Sequence, residues 1–501
     1  MGKGGSVLRK EKSAMSEDTL VNTGVVVWPS EDSAWAAVQR MQIKLHQWAQ
    51  ADGLRRFGDL FNLVYDPAFL VHAFEVVARN DGARTAGVDG VTVTRIKTRN
   101  RVEAFLSHVQ DQLRTGVFEP VEVRQVFIPK GNSGKVRRLG IPTVTDRVVQ
   151  ASLKLVLEPI FEADFKPCSY GFRPKRRAHD AIAEIQYLTS RTYEWVMEAD
   201  IRACFDEIDH TALMGLVRNR IKDKRVNALV KAFLKAGVMT ATGDREDSVT
   251  GTPQGGILSP LLANIALSVL DEHFERQWHR DMSPRWTRQK RTRVGMGNWR
   301  LIRYADDFVL VVAGERHHAE ALRDEAATVL AQVGLRLAEE KTRTVHIDEG
   351  FDFLGFHIHR RRKRGTNKQY VYTTPSAKAI AAMKATVKDR TRRHTLNEDV
   401  RWLFDSLGRT LRGWARYFRH GVSRKVFHSL DWYAWRRMTH WIRLKFSRRG
   451  NPLNWKQLRR GYCLPGSWKL AYDGLEFRGA TTSDVPPPRA TAGSRPPVPT
   501  T

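Results

Sequence analysis

The sequence predicts an α+β fold, on three observations. Short β-patterned runs bounded by Gly, Pro or Asp recur between residues 121 and 356. Stretches with apolar residues at helical spacing lie around and between them. Beyond about residue 359 the pattern turns to amphipathic helices on a basic, Trp-rich background. A chain of 501 residues allows two or three domains, and the expected divisions are 1–30, 31–190, 191–358, 359–480 and 481–501.

Residues 1 to about 30 read as a poorly ordered lead-in. Ser30 and the acids after it suit a helix N-terminus, with Trp35, Val38, Met41 and Leu45 as its apolar stripe. A second helical stretch carries Leu60, Leu63, Phe69, Phe74 and Val77. Gly87 and Gly90 bracket a loop in which positive φ would let backbone approach a ligand. Residues 121–130 alternate as a strand, 130–138 form a Gly- and cation-rich tip suited to phosphates, and 139–142 return as a strand. Helices over 146–157 and 178–188 flank a polar-aromatic loop, 169–174. Residues 193–201 read as a strand ending at Asp200, and Asp206 and Asp209 beyond it suit helix caps. Residues 251–260 open a helix through Leu261, Ile265, Leu267 and Leu270, and helix N-termini accept phosphates. The basic stretch 276–300 reads as an exposed loop. Then Asp306-Asp307 sits between Leu301-Ile302 and the apolar run 308–312, a strand, a tight turn and a returning strand. The pair suits a surface turn or part of a metal site, and the choice depends on the rest of the chain. A helix over 317–333 and a short apolar strand over 351–356 complete this part.

Composition narrows the function. With 83 Lys and Arg against 54 Asp and Glu, the net charge of +29 points to a polyanionic partner, above all nucleic acid. Cys168, Cys204 and Cys463 form no Cys-x-x-Cys pair, which argues against a zinc ribbon or disulfide framework and fits a reducing, cytoplasmic setting near the nucleoid. No apolar run approaches the roughly 18–20 residues of a membrane span, and the N-terminus lacks the apolar core of a secretory signal. Residues 360–460 alone hold 28 Lys/Arg against five Asp/Glu, a local +23, and six of the 14 tryptophans. Val400, Leu403, Phe404, Leu407, Leu411, Trp414 and Phe418 keep helical spacing, as do Phe427, Leu430, Ala434, Met438 and Trp441. Arg409, Arg412, Arg416, Arg436, Arg437 and Arg443 fall on the opposite faces, a helical hairpin suited to a duplex or folded RNA backbone. Residues 481–501 are Pro/Ser/Thr-rich and expected to be disordered.

Asp200, Asp306 and Asp307 each end or cap a strand. If those strands are neighbours, three carboxylates and the Ile201 carbonyl converge as oxygen ligands for two Mg²⁺ ions, with Mn²⁺ as an alternative. Lys130 and Arg137 offer cations for a triphosphate, and Phe205 and Gln254 a platform for sugar and base.

The ordered set Ile128-Pro129-Lys130 to Pro142, Asp200-Ile201 with Phe205, Gly251 to Pro260 and Tyr304-Ala305-Asp306-Asp307 resembles the bacterial group II intron-encoded reverse transcriptases, or maturases. Gly87 to Gly90, Glu340-Lys341-Thr342 and Phe353 to Phe356 stand in their expected places, and the stretches 411–418 and 430–437 resemble the maturase domain that serves as thumb. The resemblance spans roughly residues 60 to 475. It implies a right-hand fold of fingers, palm and thumb, with Asp200, Asp306 and Asp307 as catalytic acids. Lys130, Arg137, Phe205, Gln254 and Lys341 would serve the dNTP, with Phe205 as the gate against a 2′-hydroxyl. Phe353, Leu354, Gly355 and Phe356 would lie at the primer, and Arg412, Arg416, Arg436 and Arg437 on RNA. The implied partners are a group II intron RNA, a DNA target and primer, and dNTPs, with no membrane; a homodimer is left open. Arg138 departs from the family's usual proline, and only Cys463 and a Pro-rich tail follow the maturase region, without the paired cysteines of an HNH endonuclease. The expected primer therefore comes from elsewhere. Two alternatives stay open: a host-adopted polymerase for defence or repair, and a splicing cofactor with a vestigial polymerase.

Overall fold

Local capping sets the first helices of the computed structural model, which describes residues 27–97, 99–129, 136–240, 245–246, 250–251, 255–363, 365–447 and 450–482. The Ser30 hydroxyl accepts from the Ser33 N–H to start α1 (Glu31–Ala51). After the single turn α2 (Phe61–Val64), the Asp66 carboxylate accepts from the Ala68 and Phe69 N–H groups to start α3 (Pro67–Arg79). The turn α4 (Val93–Ile96) and α5 (Arg99–Thr115) complete the N-terminal helices. The face α1 buries is Ala34, Val38, Leu45 and Ala49; Trp35, expected on that stripe, is half-exposed because Ala34 takes the inward position. Of the two glycines in the 87–90 loop, only Gly90 has positive φ. Gly87 is held against the backbone of Thr143, where a Cβ would come within 2.7 Å of the Thr143 Cα, whereas a Cβ at Gly90 would meet open space.

Strands β1 (Val123–Pro129) and β2 (Val136–Ile141) form the expected hairpin. The return strand begins earlier than the apolar pattern suggested, so Arg137 stands on β2 opposite Ile128 and not in the tip. Helices α6 (Val144–Glu162) and α7 (Ala178–Thr189) lead to β3 (Trp195–Asp200). The chain continues through α8 (Cys204–Glu207), α9 (His210–Arg220), α10 (Lys224–Lys235), β4 (Val238–Met239) and β5 (Arg245–Glu246). Then follow α11 (Ser259–Gln277) and α12 (Arg285–Arg293). The stretch 276–300, expected as a loop, is thus largely helical. Its cations are held locally: the Arg288 and Arg300 guanidiniums lie 5.2 and 4.7 Å over the Trp278 ring, and Met282 is fully buried.

The central sheet is built from β6 (Asn298–Tyr304), β7 (Asp307–Ala313), β3 and β8 (Arg343–His346), in the order β6-β7-β3-β8, all neighbours antiparallel. Helix α13 (Arg316–Ala331) joins β7 to β8. The unbroken apolar run Phe308–Val312 has a physical reason: both faces of β7 are buried. Phe308, Leu310 and Val312 enter a core shared with the N-terminal helices and α11, whereas Val309 and Val311 enter a second core shared with the C-terminal helices.

The stretch 351–356, expected as one strand, is two. A tight turn at Leu354 and Gly355, both at positive φ, divides β9 (Phe351–Phe353) from β10 (Phe356–Arg362), which pairs with β11 (Gln369–Pro375). The division expected between residues 358 and 359 falls inside β10. From there the chain is helical: α14 (Ala377–Asp389), α15 (Val400–Phe418), α16 (Arg424–Lys445) and α17 (Trp455–Tyr462). The two apolar stripes read on α15 and α16 are core, apart from the partly buried Trp414. A small hairpin, β12 (Ala471–Tyr472) and β13 (Leu475–Glu476), closes against α15. Among the described residues no helix is long and apolar enough to cross a membrane.

Candidate active site

Asp200 ends β3 directly opposite Asp307, the first residue of β7. Asp306 lies one residue away in the two-residue turn closed by the Tyr304–Asp307 pair. The turn has Ala305 at φ +56°, the left-handed region that hairpin turns require and that glycine normally fills. An alanine there is held by what surrounds it.

The holding group is Arg303. This guanidinium is completely buried and donates to the Ala305 carbonyl at 2.9 Å, Asn264 Oδ1 at 3.0 Å and Ser169 Oγ at 2.7 Å. Its other two donors meet both oxygens of the equally buried Asp271 at 2.7 and 2.5 Å. Asn264 in turn donates to the Gly171 carbonyl at 2.9 Å. Gly171 lies so close to the turn that a Cβ there would overlap the Ala305 backbone nitrogen. The loop 168–171 runs beside β6, the Tyr170 N–H donating to the Arg303 carbonyl at 2.8 Å. A buried, bidentate ion pair thus fixes the turn that carries two of the three acids.

Electrostatics at the sheet end are strained. Burial, then repulsion from Asp306 and Asp200, pushes the Asp307 carboxyl up to about 6, although its residue keeps a solvent-exposed edge. Asp306 is raised by burial and by Asp200, against the opposing charges of Arg137 and Lys341. The Lys341 ammonium bonds Asp200 Oδ2 directly. Cys204, beneath the site, is pushed up to about 12 by burial and by Asp306, so it is no nucleophile.

Arg137, Phe205 and Lys341 lie around the acids: Arg137 and Lys341 through their charge on Asp306, Phe205 on α8 a few residues after β3. Ile201 is buried, in a bridge to Leu337. The Phe205 ring meets Phe172 edge-on at 6.4 Å, and a Cβ at Gly251 would come within 2.5 Å of its carbonyl. Lys130 and Gln254 lie outside the described residues. At the expected primer position, the Phe353 and Phe356 side chains are core, leaving the Leu354-Gly355 turn at the surface. The Tyr417 hydroxyl donates to the Leu354 carbonyl at 2.9 Å and fixes that turn to α15.

The four arginines expected on RNA divide evenly. Arg416 and Arg436 are exposed, with Arg436 4.7 Å over the Trp432 ring. Arg412 donates to the Arg478 carbonyl, and Arg437 to the Thr391 hydroxyl and carbonyl, so these two hold structure together. Sequence reasoning missed Arg303, Asp271, Asn264 and Phe172. The signal present was Asn264, a lone polar residue within the apolar run 261–267, with Asp271 seven residues on at helical spacing.

The chain's relatives accord with this geometry. Residues 128–358 match the family model for reverse transcriptase (RNA-dependent DNA polymerase), and residues 380–462 that for the group II intron maturase-specific domain. Protein YkfC of Escherichia coli (strain K12) is 38% identical over 360 residues, covering 68% of this chain and 93% of that protein. The group II intron-encoded protein LtrA of Lactococcus lactis subsp. cremoris is 32% identical over 362 residues, covering 62% of this chain and 58% of LtrA. The right-hand polymerase fold carrying a helical C-terminal domain, and these matches, place the chain in one family: it belongs to the group II intron-encoded reverse transcriptases and maturases, which are RNA-directed DNA polymerases.

Proposed function

We propose that the chain copies RNA into DNA at the β3–β7 sheet end, and that its C-terminal domain binds a group II intron RNA, assists splicing, and so serves retrohoming of that intron. The observation that carries the reading is the juxtaposition of Asp200, Asp306 and Asp307. Among the described residues no group of three or more His, Cys, Asp or Glu side chains stands ready to hold a metal ion, Asp200 being paired with Lys341. What supports a divalent cation is the mutual repulsion of the carboxylates at the sheet end, which such an ion would relieve, and Mg²⁺ keeps waters and takes substrate phosphates as its remaining ligands.

Asp200, Asp306 and the Ile201 carbonyl would hold two divalent ions, with Mn²⁺ as a substitute, and Asp307 would add charge beside them. When bound, the ions activate the attacking 3′ oxygen and stabilise the leaving pyrophosphate. Arg137 on β2 grips the triphosphate, Lys130 would join it by the family resemblance, and Lys341 contributes a further cation once freed from Asp200. The Phe205 ring, backed by Phe172, lies under the sugar and rejects a 2′-hydroxyl by occupying its space. By the family resemblance Gln254 would serve the nascent pair, and the Leu354-Gly355 turn supports the primer strand. DNA target, primer and dNTPs are the remaining partners.

The test is primer extension on an RNA template. Asp306→Asn should lower the rate by about a hundredfold or more, the scale of several kcal/mol of lost transition-state stabilisation, while RNA affinity stays within twofold. Extension at the wild-type rate would overturn the assignment.

A further inference from the structure

The C-terminal domain carries a groove that the polymerase reading does not use. Trp435 on α16 and Trp455 at the start of α17 are nearly parallel, their ring centroids 6.1 Å apart and their planes 9° apart. Trp468, from the loop after α17, stands across both at 85° and 78°, 6.2 Å from each. Its carbonyl accepts from the Trp435 indole N–H at 2.8 Å, which fixes the corner. One turn before Trp435 on α16, Trp432 is 59% exposed; Trp455 and Trp468 are each 46% exposed. Tryptophan is costly to leave in water on this scale, and four lining one groove of about 1130 Å³ mark a surface built to be covered.

The charge around it identifies what covers it. Guanidiniums lie over three of the rings: Arg436 at 4.7 Å from Trp432, Arg443 at 4.6 Å from Trp455, and Arg459 at 5.4 Å from Trp468. Lys388, Arg437 and His440 also line the groove, and among the described residues no acidic one does. A methylammonium-type ligand is excluded by charge, because the groove already holds Lys388, Arg436, Arg437 and Arg443 and would repel a further cation. An apolar helix would have to bury the Arg436, Arg437 and Arg443 charges in a groove whose described lining offers no carboxylate to balance them. Flat aromatic faces interleaved with cations match the unpaired nucleotide, whose base stacks and whose phosphates take the guanidiniums.

We propose that this groove binds unpaired nucleotides of RNA by stacking at least one base on Trp432 or Trp468. The proposal rests on the RNA-binding reading above and adds to it the form of RNA the domain grips. Arg437 belongs to the groove's floor: its bonds to Thr391 and to the Lys388 carbonyl hold α14 against α16.

The experiment measures the full chain binding two fluorescent probes, a single-stranded oligouridylate of about ten nucleotides and a blunt RNA duplex of the same length. Trp432→Ala and Trp468→Ala should each weaken the single strand by about 5- to 100-fold, the range of one lost stacked base, with duplex binding within twofold of wild type. Trp468→Phe should recover most of the loss, which separates stacking from misfolding. Oligouridylate carrying 5-iodouracil should crosslink to the peptides holding Trp432 or Trp468. Unchanged single-strand affinity, parallel loss of both probes, or crosslinks confined to residues before 376 would overturn the proposal. So would a concentration-dependent dimer that Trp468→Ala abolishes with RNA affinity intact, since a second copy would then be the occupant. If the wild-type chain bound neither probe, the RNA-binding reading itself would fall; if it bound both and the variants matched it, only the stacking proposal would.

Discussion

At the scale of single residues, the site depends on a group that performs no chemistry. Arg303 and Asp271 are fully buried, and each satisfies the other's charge. Removing one partner leaves a bare buried ion, at a cost of about 3–5 kcal/mol. Arg303→Met should therefore lower the urea midpoint sharply, and adding Asp271→Leu should restore part of the loss. A double variant no better than the single would show that the turn, not the charge, was the main casualty. The acids themselves work against stability. The folded Asp307 carboxyl keeps its proton to about pH 6, whereas an unfolded one loses it near 3.8. Folding takes up a proton between those values, so stability falls as pH rises through that window. Asp307→Asn should raise the melting temperature at pH 7 by an amount equivalent to about 1 kcal/mol after screening, and change little at pH 4. An equal gain at both pH values would trace the strain to packing. The turn that carries Asp306 and Asp307 was legible from the apolar runs on either side of it, though the pair alone suited a plain surface turn as well as a metal site; Arg303 was not legible, because nothing local marks a guanidinium whose partners lie 32 and 134 residues away.

At the scale of elements, periodicity served well where one element packs by one face. The stripes of α15 and α16 needed only 3.6-residue spacing. The polar faces needed more, because what an arginine meets is set by other elements: Arg412 by a carbonyl 66 residues on, Arg437 by a threonine 46 residues back. That division makes a prediction. Arg416→Glu and Arg436→Glu should weaken RNA binding and each reduce its salt dependence by about one ion, with melting temperature nearly unchanged. Arg412→Ala and Arg437→Ala should instead lower the melting temperature first. If all four behaved alike in both assays, the exposed and bonded arginines would not be functionally distinct. The β9–β10 turn escaped detection for a related reason: Leu354 adopts positive φ, a conformation its side chain does not announce.

At the scale of the whole molecule, the convergence of Asp200 with Asp306 and Asp307 was the step that local pattern alone did not decide, since no periodicity states that β3 lies beside β7. Motif order, by resemblance, supplied it. The same sheet joins the two halves of the chain, one core on each face. The second core runs without a break from Val309 and Val311 through Phe356, Ile358 and Val371 to Phe418 and Phe427. The backbone is stitched across as well: the Val422 N–H donates to the Thr373 carbonyl at 2.7 Å, and His179 Nε2 meets the Tyr417 carbonyl at 2.7 Å. The C-terminal helices therefore borrow their core from the strands before them, and a cut at residue 376 divides a single hydrophobic unit. Each large apolar side chain left uncovered costs about 1.5–3 kcal/mol, and losing the cover of three or four removes as much as the roughly 5–15 kcal/mol that holds a domain folded. Residues 377–482 expressed alone should melt without a cooperative transition and bind a hydrophobic dye, whereas residues 351–482, which restore β9, β10 and β11, should recover much of the cooperativity. A fragment 377–482 that melts as sharply as the full chain, without dye binding, would establish the helices as an independent domain and refute the shared core as their source of stability.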